Sequence, residues 1–134
     1  MATSGGDGRR ATVLVVEDDP ILRRLLAYNL ERDGYRVLTA ADGAGALATA
    51  RGEAGGLDLV LLDLMLPGVD GFGVLARLRR DADVPVLILS ARDDDHAKAA
   101  ALALGAADYL AKSFALRELL DRVRAAVRRR PTAP

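Results

Sequence analysis

The sequence predicts an α/β fold, a single doubly wound (βα)5 domain in which five parallel strands alternate with five helices. Three observations lead there. Short runs of branched apolar residues, too brief for helices, recur along the chain, as expected of strands buried on both faces. Between them lie segments with apolar residues at helical spacing, and right-handed crossovers place such helices on both sides of a parallel sheet. The third observation is the stretch from Asp58 to Gly71, where an apolar run stops at Asp63 and Pro67-Gly68 then breaks the chain. A carboxylate at the tip of a buried strand sits where open α/β sheets place their ligands, which makes Asp63 the candidate reactive group.

Thr12–Val16 is the first strand and stops at Glu17 and Asp18. Asp19-Pro20 reads as an N-cap followed by proline at the first helical position. Ile21, Leu22, Leu25, Leu26 and Leu30 carry a helix to about Asp33, with Gly34 as its stop. Residues 35–39 form the second strand. Asp42 caps an alanine-rich helix through about Arg51, and residues 52–56 are a loose turn. After the central strand, residues 71–80 place Phe72, Val74, Leu75 and Leu78 on one side of a third helix. Residues 84–89, entered through Pro85, are the fourth strand and end at Ser90. Asp93-Asp94-Asp95 offers caps for a helix to Leu104, closed by Gly105. Asp108–Ala111 is a short fifth strand ending at Lys112, and Leu116–Arg129 is the last helix. Residues 1–10 and 131–134 read as tails expected to be mobile, the second also resembling the start of a linker, which leaves 11–130 as the domain.

Composition narrows the function classes. The chain of 134 residues suits one domain. It has no cysteine, so disulfides and thiolate metal sites are excluded, in keeping with the cytoplasm. Residues 1–10 lack the apolar core of a signal peptide, and no apolar run approaches the roughly 20 residues of a membrane span. A cytoplasmic protein without membrane attachment is expected. A formal net charge of zero argues against a nucleic-acid grip by the whole surface. Arg117, Arg122, Arg124 and Arg128-Arg129-Arg130 read as a solvated helix face rather than a DNA contact.

All strands of a parallel sheet end at one edge, so Glu17, Asp18, Asp63, Ser90 and Lys112 are expected to share a rim. Crowded acids repel one another, and a hard divalent cation bound through oxygen compensates them. With few carboxylates and room for water, Mg²⁺ fits better than calcium. Asp63 is then a candidate nucleophile that forms an aspartyl phosphate. Lys112 would pair with one phosphoryl oxygen, and Ser90 would hydrogen-bond to another. Taken singly, the acids could be helix caps, the serine a turn residue and the lysine a solvated side chain. Their coincidence at one rim favours the chemical reading.

From about Thr12 to Arg129 the chain resembles the receiver domain of a two-component response regulator, above all the subclass joined to winged-helix DNA-binding domains, the OmpR/PhoB type. The residues carrying the resemblance are Val16-Glu17-Asp18-Asp19-Pro20, Leu62-Asp63-Leu64-Met65-Leu66-Pro67-Gly68, Asp70-Gly71, Leu89-Ser90-Ala91-Arg92 and Gly105-Ala106-Ala107-Asp108-Tyr109-Leu110-Ala111-Lys112. The resemblance implies a flavodoxin-like sheet of order 2-1-3-4-5, an order that the receiver family itself exemplifies and that the pattern alone does not give. It implies Asp63 as phosphoacceptor, loaded by a sensor histidine kinase or a small phosphodonor. Glu17, Asp18, Asp63 and the backbone carbonyl of Met65 are the implied Mg²⁺ ligands, and Ser90 and Lys112 the groups that hold the phosphoryl oxygens. With Ser90, Tyr109 is the implied aromatic switch, turning inward on phosphorylation. The output is a population shift on the face of the fourth helix, fifth strand and fifth helix.

That face implies a homodimer held by Lys98 with Glu118 and Asp108 with Arg122, controlling transcription through a DNA-binding domain that these residues do not include. Ala103 and Ala107 stand where acids are usual, which predicts weaker dimerisation, since exposed pairs are worth at most about 1 kcal/mol each. Ser113 replaces the proline that usually follows the strand-five lysine, often through a cis bond. A non-proline cis bond costs about 3 to 4 kcal/mol, so a reshaped loop and slower or less stable phosphorylation are expected.

Rival readings lack their residues. A haloacid-dehalogenase-type phosphatase needs a second acid two positions after the first, where Met65 stands. A flavodoxin-like cofactor site needs an uncharged, hydroxyl-rich loop where Glu17-Asp18-Asp19 stands, and no P-loop is present. A degenerate receiver acting as a phosphorylation-independent interaction module is the nearest alternative. His96, the single histidine, reads as an exposed helix residue.

Overall fold

The computed structural model describes residues 10–53, 55–66, 70–92 and 94–129. The Pro67-Gly68 break, Asp93 and most of both expected tails lie outside the described residues. The elements run β1 (Thr12–Val16), α1 (Pro20–Arg32), β2 (Arg36–Ala40), α2 (Gly43–Gly52), β3 (Leu59–Asp63), α3 (Gly71–Asp81), β4 (Val86–Ser90), α4 (Asp95–Ala103), β5 (Asp108–Ala111) and α5 (Leu116–Arg129). The strands form one parallel sheet in the order β2-β1-β3-β4-β5.

The apolar strand runs show no alternation because both of their faces are covered. Leu14, Val16, Val60, Leu62, Val86 and Ile88 pack against Ala46 and Ala50 of α2, Val74, Leu75 and Leu78 of α3, and Ala97 and Ala101 of α4. Their neighbours Val13, Val15, Leu59, Leu61, Leu87 and Leu89 pack against Leu26 and Leu30 of α1 and Leu119, Val123 and Ala126 of α5. The period of two, hidden in the sequence, reappears as two separate cores.

Aspartates start four of the helices. Asp19, Asp42, Asp70 and Asp94 accept hydrogen bonds from the backbone N–H groups of Ile21, Gly45, Phe72 and Ala97, at 3.0, 2.7, 3.1 and 2.7 Å. The expected glycine stops also hold. Gly34 and Gly105 adopt φ of 99° and 103°, and each ends its helix in a Schellman motif, with Tyr35 N–H donating to Leu30 O and Ala106 N–H to Ala101 O.

Two strand boundaries move by one or two residues. Tyr35 closes the α1 stop, so β2 begins at Arg36 and reaches Ala40, whose carbonyl accepts from Glu17 N–H. Pro85 has no N–H to give, and β4 runs from Val86 through Ser90. The stripe on α1 is narrower than its sequence: Leu26 and Leu30 are buried, whereas Ile21 and Leu25 are exposed. His96 is exposed, as expected.

Candidate functional site

Parallel strands deliver the predicted groups to one edge. Asp63 is the last residue of β3 and is 2% exposed; its Oδ1 accepts from Met65 N–H at 2.9 Å and its Oδ2 from Lys112 Nζ at 2.9 Å. Glu17 follows β1 and is equally buried, with Oε2 accepting from Asp19 N–H at 3.1 Å. Asp18 is exposed beside them. Oxygens of Glu17, Asp18 and Asp63 lie within 4.8 Å of one another. Lys112 Nζ also stands 3.0 Å from Glu17 Oε1, an ion-pair distance, yet Oε1 is left without a well-directed hydrogen bond among the described residues.

Burial pushes the Glu17 carboxyl above the ordinary glutamate value of 4.5, against the lowering pull of Asp19 N–H and Lys112. Burial also works against the Lys112 ammonium. Its contacts with Asp63 and then Glu17 outweigh that, and the lysine is held above its ordinary value. Three carboxylates face one ammonium, so negative charge is in excess, and the buried Glu17 Oε1 lacks a well-directed hydrogen bond among the described residues. An all-oxygen set of this charge fits a hard divalent cation.

Ser90, the last residue of β4, is fully buried, and its Oγ accepts from Arg92 N–H at 3.0 Å. Tyr109 of β5 is buried as well and donates its hydroxyl to the Arg92 carbonyl. Tyr109, the implied switch residue, thus lies inward in the structure. One residue, Arg92, links it to Ser90 through its two backbone groups. Met65 has an exposed side chain, and its N–H supports Asp63.

No cis peptide bond occurs among the described residues, so Lys112–Ser113 is trans. Lys112 nonetheless reaches both Asp63 and Glu17. With Ser113 in place of proline, the reach of Lys112 is kept.

Of the implied dimer residues, Asp108, Glu118 and Arg122 lie together. Arg122 binds Asp108 at 2.7 Å and Glu118 at 3.2 Å within the same chain, and Lys98 is exposed on α4. Arg124, whose implied partner position holds Ala103, pairs with Asp33 beyond α1 at 2.9 Å. Sequence reasoning passed over Arg23, whose guanidinium donates to the carbonyl of Glu17 at 2.8 Å and reaches that of Asp18 at 3.3 Å. Its only signal is its place in the first turn of α1, within reach of the acidic loop.

Residues 13–124 match the family described as the response regulator receiver domain. The chain is 45% identical over 118 residues to the sensory transduction protein RegX3 of Mycolicibacterium smegmatis, covering 88% of this chain and 51% of that protein. It is 48% identical over 121 residues to the transcriptional regulatory protein KdpE of Mycobacterium tuberculosis, covering 90% and 53%. The chain thus spans about half the length of these curated relatives. Among solved structures, the BeF3-activated N-terminal receiver domain of Klebsiella pneumoniae RstA superposes with a TM-score of 0.82 at 35% identity, covering 88% of this chain and 99% of that one.

Proposed function

Because the chain belongs to the response regulator receiver domain family, we propose that Asp63 is its phosphoacceptor and that a sensor histidine kinase is its phosphodonor. The observation that carries this reading is the buried Asp63 carboxylate, bonded to Lys112 and within 4.8 Å of Glu17 and Asp18. An Asp63 oxygen attacks the phosphorus of a phosphohistidine. The P–N bond breaks as the P–O bond forms, and the leaving imidazole takes up a proton. Lys112 pairs with one phosphoryl oxygen, and the Ser90 hydroxyl turns from Arg92 N–H to donate to another.

Asp18, Asp63 and the Met65 carbonyl, with Glu17 through water, would hold Mg²⁺, which would supply neutralisation of the charge gathered on the phosphoryl group. Attack of water on phosphorus releases inorganic phosphate and restores the carboxylate, so the domain assists its own phosphorylation and dephosphorylation. Movement of Ser90 toward the phosphoryl group draws on the Arg92 backbone, to which the inward Tyr109 hydroxyl is bonded, and so carries the change to α4, β5 and α5. A second copy docks on that face through Lys98, Asp108, Glu118 and Arg122. The output is transcriptional, through a DNA-binding domain outside these residues, and it operates in the cytoplasm. No described helix is long and apolar enough to cross a membrane.

The test is intact-mass spectrometry of wild type and Asp63→Asn after incubation with a small acyl-phosphate donor, with Mg²⁺ or with chelator. A gain of one phosphoryl group that needs Mg²⁺ and is absent from the variant is expected. No gain in wild type under any condition would leave the degenerate interaction module in its place.

A further inference from the structure

We propose that Arg23 is a positioning residue for the divalent cation, acting through the backbone of the acidic loop rather than through any carboxylate; the inference rests on the cation reading of the site. The loop after β1 is held through its backbone as well as through its carboxylates. Glu17 N–H is tied to Ala40 of β2, the Glu17 side chain to Asp19 N–H, and the Glu17 and Asp18 carbonyls to the guanidinium of Arg23. Lys112 acts on the Glu17 carboxylate, whereas the Arg23 guanidinium acts on the backbone carbonyls of both Glu17 and Asp18.

Both carbonyls are drawn toward the α1 side, and this fixes the two peptide planes from which the carboxylates project. Arg23 itself is anchored, because its N–H donates to Asp19 O in the first turn of α1 and its side chain is half-buried. Glu17, Asp18 and Asp63 repel one another, so a loop without this clasp relaxes by spreading its carboxylates before a cation arrives. A guanidinium also brings a fixed positive charge behind the acids without competing for their oxygens. Methionine would keep the apolar length of Arg23 and lose both hydrogen bonds, whereas lysine would keep the charge and a donor nitrogen without the planar fork.

Mn²⁺ serves as the probe, its free form counted by electron paramagnetic resonance, with amide hydrogen exchange measured in chelator as a second readout. The proteins are wild type, Asp18→Asn, Arg23→Met, Arg23→Lys and Val123→Ala, the last a core change in α5 that lowers stability away from the rim. Arg23→Met is expected to bind Mn²⁺ about 10-fold more weakly, the scale set by loss of an outer support to a metal ligand, with partial recovery in Arg23→Lys. Val123→Ala should match wild type. In chelator, exchange at Asp19 N–H should rise in Arg23→Met and stay unchanged in α5. Should wild type bind no Mn²⁺, or Asp18→Asn bind as well as wild type, the cation reading falls and this inference with it. If those two behave as expected while Arg23→Met matches wild type in affinity and in exchange at Asp19, the inference about Arg23 alone is overturned.

Discussion

Glu17 holds a carboxylate where water scarcely reaches, 1% exposed, with Oε1 lacking a well-directed hydrogen bond among the described residues. Its burial raises its pKa, so below the ordinary value of 4.5 folded and unfolded chains are both protonated and nothing is lost. As pH rises through the elevated folded value, the native state must ionise a group that the unfolded chain ionises more easily, and stability falls. In chelator, the urea midpoint of wild type should therefore drop relative to that of Glu17→Gln as pH rises above 4.5. Equal pH profiles would show that burial of Glu17 carries no such penalty. At this scale much of the rim could be read in advance: Glu17, Asp18, Asp63, Ser90 and Lys112 are chemical types at strand ends, and the fold gathers four of them into contact or near contact. Arg23 and Arg92 escaped because they act on or through backbone groups, which every residue has and no side-chain pattern marks.

Elements were legible where local chemistry sets them. The aspartate caps Asp19, Asp42 and Asp94 and the two glycine stops are short-range signals that the sequence shows; Asp70 caps α3 in the same way and was not singled out. Gly71 is a different case. A Cβ there would stand 2.4 Å from the Leu64 carbonyl oxygen and 2.6 Å from its Cα, so the start of α3 presses on the backbone that leaves β3 just after Asp63. That approach is tertiary and left no trace beyond a glycine after a cap. Gly71→Ala must push the Leu64 backbone aside, at a cost of about 1 to 3 kcal/mol by the scale of overpacked cores. Urea unfolding should show that loss. A fully stable Gly71→Ala would mean that the loop yields freely. The shifts at β2 and β4 have equally local causes, a Schellman turn that claims Tyr35 and a proline that cannot donate.

The order of the strands could not be read from their alternation, because every order of five parallel strands gives the same alternation; it came with the family resemblance, and the sheet has it. On the α5 side, Arg122 already satisfies Asp108 and Glu118 within one chain. A second copy that draws on those acids must exchange existing pairs for new ones, so charge there selects orientation more than it supplies affinity. The separation of the two cores by the sheet has a consequence for redesign. Leu30 and Leu78 belong to different cores, on opposite sides of one layer of strands. Each change to alanine should cost about 2 to 5 kcal/mol, and the double variant should equal their sum within about 0.5 kcal/mol. A larger coupling energy would show that the sheet transmits packing strain. Additivity would make the domain modular in the engineer's sense, since a library randomising the α1–α5 side could be selected separately from one on the other side and the winners combined.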